Sequence, residues 1–160
     1  MAPGTQDITM TDMKRLVWHE VAPQGAKALF GIHHYLLTGT NLPEELIHLV
    51  FLRVSQINGC AHCIDLHTRD LLKTMPADKV TLLQVWAEVP HLFPDQYRAA
   101  LAWAEEVTRV SETHASDAAY AAAAAAFEPK DLVDLTIAIA AMNAFNRLGA
   151  PFRLPVKAQA

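Results

Sequence analysis

Asn58-Gly59 reads as a helix stop, and the residues after it, Cys60-Ala61-His62-Cys63-Ile64-Asp65-Leu66-His67, start a new helix. The first turn of that helix holds both cysteines of the 160-residue chain. With no further cysteine there is no disulfide framework to build, so the pair is either a redox couple or part of a metal site. Positions i and i+3 of a helix share a face with Cα atoms about 5 Å apart, inside the span a disulfide tolerates. His67 lies four residues beyond Cys63, so its imidazole is predicted to sit over the second sulfur.

The rest of the chain reads as helix as well. Gly is rare, at 6 residues, and alternating apolar–polar runs bounded by turns are absent from the sequence. The spacing predicts a loose tail over 1–10 and a short helix over 12–20. Pro23 then opens a second helix that stops near Thr38-Gly39. Pro43 opens a third, with Glu44 and Glu45 in its first turn, where the helix dipole favours carboxylates. Its apolar residues Leu46, Leu49, Val50, Val54 and Ile57 keep helical spacing, and Gly59 caps its end. Further helices are expected over 60–73, 77–88 and 95–110. A loop follows over 111–116, then a helix capped by Ser116 or Asp117 that contains the alanine run 121–126. The last helix is expected over 130–148, stopped by Gly149 and Pro151. The expectation is an all-α chain of about eight helices in one domain, 1–160, with its redox core over 42–73.

Composition narrows the function classes. Hydrophobic residues make up 52% and charged residues 19%, and mean hydropathy is +0.13. That is oily for a domain of this size, which leaves much of its surface to water. No apolar run approaches the roughly 20 residues that span a bilayer, so burial in a homo-oligomer is the expected reason. The net charge of −4 and the dispersed Lys and Arg offer no groove for nucleic acid. The first residues lack a basic patch and an apolar stretch, so no secretory signal is read there. A reducing cytoplasm suits a dithiol that must be recharged.

An ordinary thiol is only about 3% ionised at pH 7. Lowering its pKa by two units takes about 2.7 kcal/mol, and an exposed helix N-terminus supplies about 0.3–1 kcal/mol. A second group must help, and His67 is placed to act on Cys63 as base or as imidazolium partner. Cys60, at the helix start, is then the resolving sulfur. A Cys63 thiolate attacks a peroxide oxygen and becomes a sulfenic acid, and Cys60 condenses with it to a disulfide and water. An external dithiol reduces the pair again. Zinc is the rival reading, through Cys60, Cys63 and His67 with His48 reaching from the neighbouring helix, but no second paired motif supplies a usual fourth ligand.

The segment Leu52-Arg53-Val54-Ser55-Gln56-Ile57-Asn58-Gly59-Cys60-Ala61-His62-Cys63, followed by His67, resembles the core of the AhpD-like alkylhydroperoxidases of the carboxymuconolactone decarboxylase superfamily. The stretch from Asp131 to Thr136, with Asn143, Asn146 and Arg147, also resembles the ending of family members that carry the motif early. The resemblance implies an all-helical fold assembled as trimers or hexamers. It implies reduction of alkyl hydroperoxides, or service as a thiol–disulfide adaptor or sensor for a peroxiredoxin, recharged by a lipoyl-type or thioredoxin-type dithiol with no bound cofactor or metal. Cys63 is then the attacking sulfur, Cys60 its resolving partner, and His67 part of a proton relay, with His62 matching a relay histidine of some members. The family glutamate twelve residues before the first cysteine is replaced here by His48. Either His48 takes over as base, or Glu44 or Glu45, one turn earlier, reaches the site or orients it. A decarboxylase-like lyase, also within the superfamily, has no need of paired thiols.

Arg53 is expected to pair with a carboxylate. Asn143, Asn146 and Arg147 are expected to bond helix ends or a subunit contact. His19, His33, His34, His91 and His114 follow no ligand spacing and read as structural or exposed, and Trp18, Trp86, Trp103 and Phe145 read as helix packing.

Overall fold

The computed structural model describes residues 15–157. The expected tail over 1–10 and the start of the first predicted helix lie outside them. Among the described residues there are nine α-helices and no strand: α1 (Trp18–Val21), α2 (Pro23–Thr38), α3 (Glu44–Asn58), α4 (Ala61–Leu71), α5 (Ala77–Leu82), α6 (Asp95–Thr108), α7 (Val110–Thr113), α8 (Asp117–Ala126) and α9 (Pro129–Gly149). The all-α expectation holds, and several boundaries change: Arg15 to Val17 of the expected first helix are not helical, and the helix expected to reach residue 73 stops at Leu71. The helix expected over 77–88 stops at Leu82 and continues as a 3₁₀ stretch, Leu83–Glu88, kinked at Val85. The helix expected to reach residue 110 stops at Thr108. The loop expected over 111–116 begins with a helical turn, α7, and ends in left-handed His114.

The third helix is the axis of the molecule. Every residue from Leu46 to Leu52 is buried, together with Val54 and Ser55. Seven consecutive buried residues cover the whole circumference of a helix with 3.6 residues per turn. Helices α2, α4, α6 and α9 pack around it. One apolar face was legible in the spacing; burial all round is a consequence of this enclosure, and it carries His48 inside with its neighbours.

The end of α3 is built as predicted. Gly59 adopts φ 67°, ψ 33°, in the left-handed region that favours glycine. Cys60 then caps α4 from extended backbone, and its Sγ accepts the Cys63 N–H at 3.4 Å. The reversal is bolted to α9 by amides. Asn58 donates to Asn143 and Asn146 at 3.0 and 2.9 Å, and Asn146 donates to Ser55 Oγ at 3.0 Å. Arg147 in turn donates to the Asn143 carbonyl and side chain. These amides therefore hold the last turn of α3, as one of their two expected roles.

The last helix ends at Gly149, within a residue of the expected stop, and the glycine has a further reason to be there. It is helical, and a Cβ there would stand 2.7 Å from Cys60 Sγ and 3.2 Å from Cys63 Sγ. Glycine is needed because the α9 backbone passes directly against the sulfurs.

Candidate active site

Cys60 and Cys63 form a disulfide, with Cα atoms 5.3 Å apart. The zinc reading through these cysteines has no support in this state, since each sulfur is bonded to the other. The two sulfurs differ in access. Cys60 is fully buried, whereas Cys63 opens into a cavity of about 350 Å³. Trp18, Phe30, Leu66, Met142 and Phe145 give that cavity mostly apolar walls. Trp18 and Phe30 stack at 5.9 Å and Phe30 meets Phe145 at 5.7 Å, so two aromatics expected only to pack helices also wall the site.

His67 lines the same cavity as Cys63, as the i+4 spacing predicts. It is 3% exposed. Burial pushes its pKa down to about 3, with the nearby His48 adding in the same direction and Asp70 opposing. An imidazole so placed is neutral at physiological pH. That counts against a resting imidazolium partner for Cys63, and so low a pKa also makes the ring a weak base.

His48 lies beside His67, with ring centroids 5.7 Å apart, although the two belong to different helices. Its Nε2 faces Glu44 Oε1 at 3.4 Å, so Glu44 is the carboxylate that can orient it. Glu45 accepts from the Tyr97 hydroxyl at 3.4 Å and lines the same small opening as Glu44, His48 and Asp70. His62 stands at the cavity rim, where its Nδ1 bonds the Pro155 carbonyl at 2.6 Å.

Four contributors were not singled out from sequence. His33 belongs to the cavity wall, its ring stacked on Phe51 at 5.7 Å, and burial lowers its pKa. Phe51 also meets His67 at 5.1 Å and His48 at 6.1 Å, so one ring spaces three imidazoles. Asp70 carries a carboxylate oxygen 3.8 Å from Nδ1 of both His48 and His67. Its place, three residues after His67 on the same helix, was the signal available. The fourth is the segment after α9. Leu154 and Pro155 close one cavity wall, and Lys157 bonds both Asp65 and Arg69 of α4. Separately, His48, His67 and Asp70 bring three ligand-type atoms within 4.8 Å of one another.

On the far side of α3, Arg53 pairs with Glu105 at 2.7 Å, as expected of a mid-helix arginine, and Trp86 donates to the same carboxylate at 2.8 Å. Burial pushes the Glu105 pKa up, but the bonds from Trp86 and Arg53 outweigh it and hold the carboxyl below its ordinary value.

The fold and this disulfide-centred cavity define an AhpD-like helical redox protein. The family model of the carboxymuconolactone decarboxylase family matches residues 23–106, and the chain belongs to that family. It is 30% identical over 136 residues to the uncharacterised protein YdfG of Bacillus subtilis, covering 84% of this chain and 91% of the relative. It is 33% identical, with a TM-score of 0.86, to the crystal structure of Atu0492 from Agrobacterium tumefaciens. That is a protein of unknown function proposed to be the antioxidant defence protein AhpD, and the match covers 92% of this chain and all of the other. The debrominase Bmp8 shares the fold at TM-score 0.74 and 20% identity, over 87% of this chain and 74% of its own.

Proposed function

We propose that this protein is a thiol-dependent peroxidase that reduces alkyl hydroperoxides. The observation that carries the reading is the unequal access of the two bonded sulfurs: Cys63 meets an apolar cavity, and Cys60 is sealed behind it. A hydroperoxide with an apolar group seats its carbon chain against the aromatic walls and brings its O–O bond to Cys63. His67, neutral and buried, supports the Cys63 thiolate by donating from Nε2, the nitrogen not turned toward Asp70, and the thiol proton ends on the departing alcohol. The thiolate attacks the terminal peroxide oxygen, the O–O bond breaks, and the alcohol leaves after taking up a proton. Cys60 then attacks the Cys63 sulfenic acid, water departs, and the disulfide closes.

Two electrons and two protons from an external dithiol reopen the pair, and the dithiol ends as its own disulfide. A slender lipoyl-type arm suits this cavity better than a broad thioredoxin-type face, because Cys63 is only 5% exposed. The same burial weighs against direct disulfide exchange with a folded peroxiredoxin. No bound cofactor takes part in this cycle. The expected homo-trimer or homo-hexamer would cover Tyr120 and Val133, which are more than half exposed on α8 and α9. Among the described residues no helix is long and apolar enough to cross a membrane, and we place the protein in the cytoplasm, where dithiol donors are kept reduced.

Stopped-flow mixing of the reduced protein with cumene hydroperoxide, followed by mass spectrometry of the cysteines, tests the reading. The expected result is one disulfide formed per peroxide consumed, loss of all consumption in Cys63→Ser, and a trappable sulfenic acid in Cys60→Ser. Consumption that survives in Cys63→Ser, or a reduced protein inert to hydroperoxide with any dithiol present, rejects it.

A further inference from the structure

The buried face of α3 and α4 behind the disulfide holds a polar cluster whose bonding is incomplete. His48 and His67 are 8% and 3% exposed. Among the described residues, Nδ1 of neither imidazole has a hydrogen-bond partner. Leaving a buried donor or acceptor unpaired is costly, and here two such nitrogens converge on one carboxylate. Asp70 Oδ2 lies 3.8 Å from each, too long for a hydrogen bond and long enough to admit an atom between them.

The surroundings are arranged as those of metal ligands are. Lys73 occupies the other oxygen of Asp70 at 2.7 Å, which orients the carboxylate and leaves Oδ2 free. Glu44 faces Nε2 of His48 at 3.4 Å. A proton on that nitrogen leaves the Nδ1 lone pair available, the usual carboxylate–histidine–metal order. Nitrogen and carboxylate donors bind zinc at about 2.0–2.2 Å, so the three atoms, now within 4.8 Å of one another, need only a modest side-chain contraction to share one ion. A second opening of about 120 Å³, bordered by Glu44, Asp70 and Lys73, reaches His48 without passing the disulfide.

We propose that His48, His67 and Asp70 bind one divalent first-row transition-metal ion of the zinc class, with a fourth position left to water. Two imidazoles and a carboxylate suit such an ion, whereas calcium and magnesium prefer all-oxygen sets. The ion ties α3 to α4 behind the redox turn and fixes the ring of His67 from the side away from the cavity. Binding requires neither cysteine.

The test uses full-length oxidised protein stripped with chelator and titrated with ZnCl2 by calorimetry, with Co(II) absorption as the coordination probe. The expected result is one ion per chain, visible bands of a four-coordinate Co(II) site, and a higher melting temperature with zinc. Asp70→Asn and His48→Gln should each weaken binding at least tenfold, while His62→Gln, at the cavity rim, leaves it unchanged. The Cys60→Ser/Cys63→Ser protein should bind as well as the parent. Circular dichroism of each variant separates lost binding from lost fold; if a variant unfolds, the Co(II) spectrum and stoichiometry of the parent decide the matter. No ion bound at stoichiometry, zinc binding that survives both Asp70→Asn and His48→Gln, or binding that needs the cysteines overturns the proposal.

Discussion

Two polar clusters flank α3, and they are finished to different degrees. On one side Glu105 gathers Arg53 and Trp86, and at the helix end Asn58, Asn143, Asn146 and Ser55 satisfy one another. On the other side His48 and His67 keep bare buried nitrogens beside Asp70. Complete networks fix one arrangement of helices, because every alternative leaves a donor or acceptor stranded. An incomplete cluster adds little to the fold and retains free lone pairs for a proton or an ion. The difference separates groups that hold this molecule together from groups whose bonding is left open.

That contrast can be broken by substitution. The largest effect belongs to the incomplete cluster: His67→Gln should slow peroxide-driven disulfide formation by about a hundredfold or more. With EDTA present, its melting temperature should stay at or above that of the parent, since no satisfied bond is lost. Equal damage to rate and to stability would make His67 a structural residue and erase the distinction. The converse should hold for Asn146→Ala, which strands Ser55 and Asn58. It should cost about 1–3 kcal/mol, read as a lower denaturation midpoint, with the chemistry of the folded fraction retained. A neutral result there would show that the amide network is dispensable.

The smallest effect sharpens the comparison through pH. The Glu105 carboxyl is held below its ordinary 4.5, so the folded state keeps it ionised after the unfolded chain has begun to take up the proton. Its contribution to stability is therefore complete above pH 4.5 and is lost as pH falls through the lower folded value. Glu105→Gln should flatten the acid limb of a stability–pH curve and, by removing hydrogen bonds to a charged group, lower stability at pH 7 by about 1 kcal/mol, without changing peroxide reactivity. An acid limb identical in parent and variant would remove Glu105 from the structural group.

How much of this was legible in the chain depends on the range of each interaction. The cap at Gly59, the approach of Cys60 to Cys63 and the reach of His67 to the Cys63 cavity all follow from spacings of a few residues. The kink at Val85 and the helical turn of α7 were missed because local signals there are weak and packing decides. His33 and Leu154 lie far apart in sequence and meet at one cavity through helix packing, so no spacing announces them. Glu44 and Glu45 were indistinguishable as first-turn acids; in the structure Glu44 faces His48 while Glu45 accepts from Tyr97, more than fifty residues away.

The sequence by itself determined an all-helical chain, a sharp reversal at residue 59, and two sulfurs held within bonding distance, because backbone geometry over three or four residues dictates such things. Only the tertiary structure decided which sulfur meets the cavity, why residue 149 must lack a side chain, and which buried nitrogens go without partners. Those outcomes depend on where distant helices come to rest against α3, and on the low dielectric that their packing creates around His67.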